Sequence, residues 1–230
     1  MQDAIFWGPF IIKYSYIAFA LSALAAYTAM KYWLKDMNEV NTPVLDDITN
    51  VSFWSLLVWK FSVVIFNPIQ IFNNPYYLLY FNGGERGIWL AAIVALIFLI
   101  MKSKKREISG WVYMATVTTG FLTYKLMEAL FQLLFSSTTQ SIVSDLIPFV
   151  ITFALLMWLD IKKENFRQPF EMYQLIVWFS IGQILSAFLQ DNRAAVFMGL
   201  SIEQLIFFIL ALSCLFLQNF KMKSDFHVSK

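Results

Sequence analysis

Seven apolar stretches, separated by shorter polar segments, make up most of this 230-residue sequence. Most of them are near the ~20 residues that cross a bilayer as an α-helix. The pattern therefore predicts an all-α, polytopic membrane protein with about seven transmembrane helices. The loops are short, which favours a single helical domain over residues 1–220 and a polar cytoplasmic tail over 221–230. The apolar stretches run roughly over residues 10–33, 51–71, 87–101, 110–135, 142–161, 172–190 and 199–218.

Composition supports a membrane protein and excludes several kinds of site. Apolar residues make up 59% of the chain and charged residues only 14%, whereas a soluble domain carries about 25% charged residues. The single cysteine, Cys214, has no partner for a disulfide within the chain, and the single histidine, His227, lies in the polar tail. We therefore expect no metal site and no cofactor. The net charge of +2 gives no support for a nucleic-acid partner.

The positions of the basic residues predict the orientation of the helices. When the chain is divided at the seven stretches, twelve of its 17 basic residues fall on one side of the membrane, and only Arg86 and Arg193 fall on the other. The positive-inside rule then places the N-terminus outside and the C-terminus inside. The Lys102–Arg106 cluster is interpreted as the mark of a cytoplasmic loop, and contact with anionic headgroups is the alternative.

A few ionisable residues lie inside the predicted spans, where a charge costs roughly 2.5–3.5 kcal/mol and needs a partner or a wet cavity. Lys125 and Glu128 are three residues apart and therefore share one face of a helix, so they can neutralise each other. This spacing is compatible with a structural salt bridge and with a functional polar pocket. Asp145 lies toward the outer end of its span.

The order of several landmarks resembles a known family. They are Gly8-Pro9, Asn67-Pro68, Gly83-Gly84 and the string EMYQLIVWFSIGQ over residues 171–183. In this order they resemble the prolipoprotein diacylglyceryl transferases, seven-span bacterial enzymes that move a diacylglyceryl group from phosphatidylglycerol onto a lipoprotein cysteine. The resemblance covers most of the chain. It implies that fold, the bacterial cytoplasmic membrane as location, and phosphatidylglycerol as a lipid partner.

The departures from the family pattern fall on the polar positions of its site. Arg86 stands where the family has a histidine, and Lys125 stands in for an arginine of its fourth span. A later segment, Gly-Arg-Phe-x-x-Glu-x-x-Arg in the family, has lost both arginines and its acid. Its aligned residues here are Gly182, Gln183, Ala187 and Gln190. Because lysine cannot reproduce the bidentate fork of arginine on a phosphate, these changes argue against the family's chemistry.

We therefore expect a catalytically degenerate relative that binds a lipid, or a lipoprotein or membrane-protein partner, as a subunit of a membrane assembly. The first alternative is a divergent diacylglyceryl or acyl transferase, in which Lys125 and Glu128 would be catalytic. The second is a small transporter or channel that uses the same ionisable residues. The predicted lipid- or partner-binding residues are Tyr14, Tyr16, Arg86, Lys125, Glu128, Asp145, Gln183, Gln190 and Arg193.

Overall fold

A computed structural model describes residues 4–7, 10–35, 41–74, 76, 78, 83–135, 139–162, 169–188 and 199–228. Within these ranges the chain is helical, apart from a short antiparallel hairpin of β1 (Ala4–Trp7) and β2 (Phe10–Lys13). The helices of this part are α1 (Tyr14–Leu34), α2 (Asn41–Phe61), α3 (Val63–Phe66), α4 (Pro68–Asn73), α5 (Gly84–Arg106), α6 (Gly110–Phe135), α7 (Thr139–Ile161), α8 (Pro169–Phe188) and α9 (Ile202–Val228).

Every predicted apolar stretch overlaps a helix of 20 or more residues, and the bounds of α6 are the predicted ones. The expectation of a helical protein is therefore confirmed. The hairpin differs from the prediction, because residues 10–13 form strand β2 instead of the first turn of the first helix. This segment, Phe-Ile-Ile-Lys, is rich in the aromatic and β-branched residues that favour strands.

The second helix begins ten residues earlier than the apolar stretch 51–71 predicts. Val44, Ile48 and Val51 are buried at helical spacing, so the apolar face of α2 continues into a segment that looks polar by composition. Ser62, between α2 and α3, keeps helical dihedral angles, and its N–H donates to the Val58 carbonyl, so the helical path continues to Phe66. Asn67 then leaves the helical conformation with φ −135° and ψ 54°. Pro68 follows at the start of α4, a position where its missing N–H costs nothing.

Three helical segments of the described residues are long and apolar enough to cross a membrane: Tyr16–Leu34, Pro43–Phe66 and Gly84–Arg106. Their large apolar side chains are widely exposed, among them Leu24, Phe53 and Leu96. Soluble monomers rarely expose apolar surface on this scale, whereas lipid tails cover it without cost. The structure thus indicates a membrane protein.

The chain forms two compact units, residues 34–117 and residues 1–33 with 118–230. In the first unit α2 packs against α5, and in the second α8 packs against both α7 and α9. The α2–α5 crossing is close because Gly83 and Gly87 face Ser62: a Cβ added at Gly87 would lie 2.3 Å from the Ser62 Oγ. The predicted boundary between residues 220 and 221 lies inside α9, which continues to Val228.

Candidate functional site

The ion pair expected from the spacing of Lys125 and Glu128 is present on α6. The Lys125 Nζ lies 2.6 Å from Oε2 of Glu128, and the two side chains are 40% and 38% exposed. One turn of a single helix therefore supplies both charges. Next to them, the rings of Tyr124 and Phe19 meet edge to face at 6.0 Å, so an aromatic contact joins this part of α6 to α1.

An apolar cleft of about 290 Å³ lies between α6, α8 and α9. The rings of Phe121, Phe179 and Phe207 meet edge to face along it, with centroid distances of 5.6 Å and 5.9 Å. Its lining residues are Thr118, Phe121, Leu122, Leu175, Ile176, Phe179, Phe207 and Leu210. The side chains of α6 in this lining precede Lys125 by three, four and seven residues, so Lys125 shares their face one turn further along the helix.

The other predicted site residues have different positions. Tyr14 and Tyr16 are exposed at the start of α1, Arg86 is exposed in the first turn of α5, and Gln183 is half-buried in α8. Asp145 lies in α7, but its side chain is outside the described part of the structure. Gln190 and Arg193 lie outside the described residues altogether. Among the predicted site residues that the structure describes, Lys125 and Glu128 are in direct contact with each other.

Sequence reasoning missed a second ionic site, the Asp47 cluster, which consists of Asp47, Lys102, Arg106 and Tyr113. The Asp47 side chain is 1% exposed, and its oxygens accept hydrogen bonds from Arg106 Nε at 2.5 Å, Arg106 Nη2 at 3.2 Å and Tyr113 Oη at 2.9 Å. Lys102 Nζ lies 3.0 Å from Oδ1. The cluster therefore ties α2 to α5 and α6 around a carboxylate whose four contacts satisfy it.

Two signals in the sequence could have revealed this cluster. Asp47 falls within the buried stripe of Val44, Ile48 and Val51, which marks it as a charge on an apolar face. Lys102 and Arg106 are four residues apart and so share one face of α5. Among the described residues, no group of three His, Cys, Asp or Glu side chains is placed to hold a metal ion.

Comparisons with protein-family models, with curated proteins and with solved structures find no match for this chain. The resemblance to the prolipoprotein diacylglyceryl transferases therefore rests on the residues of this sequence alone.

Proposed function

We propose that this chain is a non-catalytic lipid-binding protein that serves as a subunit of a membrane assembly. In this proposal it crosses the bacterial cytoplasmic membrane seven times, with its N-terminus outside and its C-terminus inside. The lipid is a phospholipid such as phosphatidylglycerol, and it lies on the face of α6 that carries Lys125. The partner in the assembly is a lipoprotein or another membrane protein.

The Lys125–Glu128 ion pair is the observation that carries the non-catalytic part of the proposal. A transferase of this kind must activate an incoming cysteine thiol, which is mostly protonated at neutral pH and needs a free base or a positive field. Lys125 and Glu128 are the residues predicted for that work, and at 2.6 Å each is engaged by the other. Their opposite charges largely cancel in this pair, so a reaction that uses either charge would first have to separate the two side chains.

The apolar cleft supports lipid as the ligand. All but one of its lining residues are apolar, and the exception, Thr118, is half-buried. Such a surface suits an acyl chain, which needs no hydrogen bonds. The Lys125–Glu128 pair follows on the same face of α6 and can meet the polar headgroup through its partly exposed atoms.

The test uses the full chain, extracted with its surrounding lipid and purified. Mass spectrometry of the retained lipid is expected to show phosphatidylglycerol enriched over the bulk membrane. Incubation with labelled phosphatidylglycerol and a peptide bearing a lipoprotein cysteine is expected to leave the peptide unlabelled. Transfer of the label would instead establish the transferase alternative, and ion flux through liposomes carrying the protein would establish the transporter or channel.

Two matched variants on α9 test whether the lipid lies in the cleft. Leu210 lines the cleft, whereas Leu212 is half-exposed on the same helix and is not part of the lining. Leu210→Trp is expected to fill the cleft and reduce retained phosphatidylglycerol to the level of the bulk membrane, while Leu212→Trp is expected to leave it unchanged. Equal retention by both variants would rule out this cleft as the lipid site.

Recovery of one membrane protein with the wild-type chain from native membranes would support the subunit role.

A further inference from the structure

The Asp47 cluster leaves cationic hydrogen-bond donors unused at the end of α5. Lys102 contacts Asp47 through an ammonium with three N–H groups, and Arg106 uses two of its five N–H groups on the same carboxylate. Both cationic side chains remain 40% exposed. Asp47 thus holds Lys102 and Arg106 side by side, and both keep N–H groups that can bind an anion.

Helix geometry adds a third cation to this face. Lys105 follows Lys102 by three residues, so it is a neighbour of Lys102 on the surface of α5. Lys104 is two residues from both Lys102 and Arg106 and therefore points to the opposite side. Lys105 and Lys104 are both exposed. The patch of Lys102, Lys105 and Arg106 carries three positive charges, against the buried charge of Asp47 and the exposed charge of Asp46, which also acts on Arg106. The chain then turns away at Glu107, which has a left-handed φ of 58°.

We propose that Lys102, Lys105 and Arg106 form a binding site for the phosphate-bearing headgroup of an anionic phospholipid. The patch ends a helix, Gly84–Arg106, that is apolar enough to cross a membrane, so its cations lie at the depth of the headgroups. Arg106 can offer a phosphate a planar pair of donors, and the two lysines add point charges. Because Asp47 already orders two of the three side chains, binding loses less side-chain entropy than it would on a flexible basic loop.

This site uses other residues than the α6 cleft, and the two are distinguished by working in the Leu210→Trp background, in which the cleft lipid is expected to be lost. Lys102 and Arg106 also support the fold, so the informative variants are Lys105→Gln and its matched control Lys104→Gln, on the opposite side of the same helix. The full chain is placed in lipid nanodiscs, and its binding of phosphatidylglycerol, phosphatidylcholine and inorganic phosphate is measured by native mass spectrometry.

Lys105→Gln is expected to weaken retention of phosphatidylglycerol about five-fold, the effect of one lysine near an anionic surface. Lys104→Gln is expected to have a clearly smaller effect, and Lys105→Arg to retain the lipid. Equal losses from Lys104→Gln and Lys105→Gln would reduce the patch to a non-specific basic surface and overturn the proposal. Equal retention of phosphatidylcholine, or full displacement of the lipid by inorganic phosphate, would overturn it as well.

Discussion

The Asp47 cluster and the Lys125–Glu128 pair differ in how many helices they join. The Asp47 cluster brings together residues from α2, α5 and α6, with Asp47 and Tyr113 separated by 66 positions in the sequence. The Lys125–Glu128 pair lies within one turn of α6. Asp47 is almost fully buried and makes four contacts, whereas Glu128 is partly exposed and pairs with Lys125. The first arrangement fixes helices, and the second leaves room for a ligand to rearrange it.

The contrast distinguishes charges that stabilise the fold from charges that can bind a ligand. Removing one partner from a buried ionic network leaves an uncompensated charge and is costly, while an exposed pair contributes about 0–1 kcal/mol. We therefore expect the fold to depend on Asp47 and ligand binding to depend on Lys125. Four measurements test this division, in order of the expected effect.

Asp47→Asn should produce the largest loss of stability. It removes the negative charge that Lys102 and Arg106 share, and we expect the free energy of unfolding in detergent micelles to fall by about 3 kcal/mol. This is the lower end of the range for buried pairs because both cations can turn toward water. The control is Asp46→Asn, since the neighbouring Asp46 is exposed. Equal losses from the two variants would show that the cluster does not hold the helices together.

Gly87→Ala tests whether close packing matters as much as charge in the same unit. The new Cβ would lie 2.3 Å from the Ser62 Oγ and 3.2 Å from Cδ1 of Trp59. Either the Ser62 hydroxyl rotates and gives up its hydrogen bond to the Trp59 carbonyl, or α2 and α5 move apart. We expect a loss of about 1–3 kcal/mol in thermal unfolding measurements, the usual cost of overpacking.

The Gly87→Ala variant has a rescue and a control. Adding Ser62→Ala removes the shortest contact and should restore part of the loss. Gly110→Ala should be neutral, because its nearest neighbour is the Ser103 Oγ at an ordinary 3.6 Å. A loss greater than that of Asp47→Asn would make packing, and not the ionic cluster, the principal link between α2 and α5.

Tyr113→Phe should have a smaller effect than the loss of the carboxylate. It deletes one hydrogen bond to a charged group, for which we expect a cost of about 1.5 kcal/mol, while the three bonds from Lys102 and Arg106 remain. Tyr27→Phe in α1 provides a comparison at an exposed tyrosine outside the cluster. A cost for Tyr113→Phe as large as that of Asp47→Asn would mean that the hydroxyl, not the pair of cations, satisfies Asp47.

The sequence predicts the helices of this protein better than it predicts their contacts. Apolar length alone locates α6 to the residue, because both of its ends coincide with changes in polarity. The same criterion misplaces the start of α2, where Asp46 and Asp47 lower the local hydropathy although Val44 and Ile48 are buried. Local spacing predicts the Lys125–Glu128 pair within one helix turn, but partners as distant as Asp47 and Arg106 depend on how helices pack.

Lys125→Met and Glu128→Gln, alone and together, should give the smallest effect on stability and the sharpest effect on function. The double-mutant cycle is expected to give a coupling energy of about 0.2–1 kcal/mol in thermal unfolding, as for other partly exposed pairs. The double variant loses both charges, so its stability should return close to that of the wild type.

If the pair binds the lipid headgroup, this stable double variant should nevertheless lose retained phosphatidylglycerol, because the loss does not depend on unfolding. Full retention of the lipid would make the pair a structural salt bridge. A coupling energy above about 2 kcal/mol would remove the contrast with Asp47, since a pair that strong must hold the fold as a buried network does.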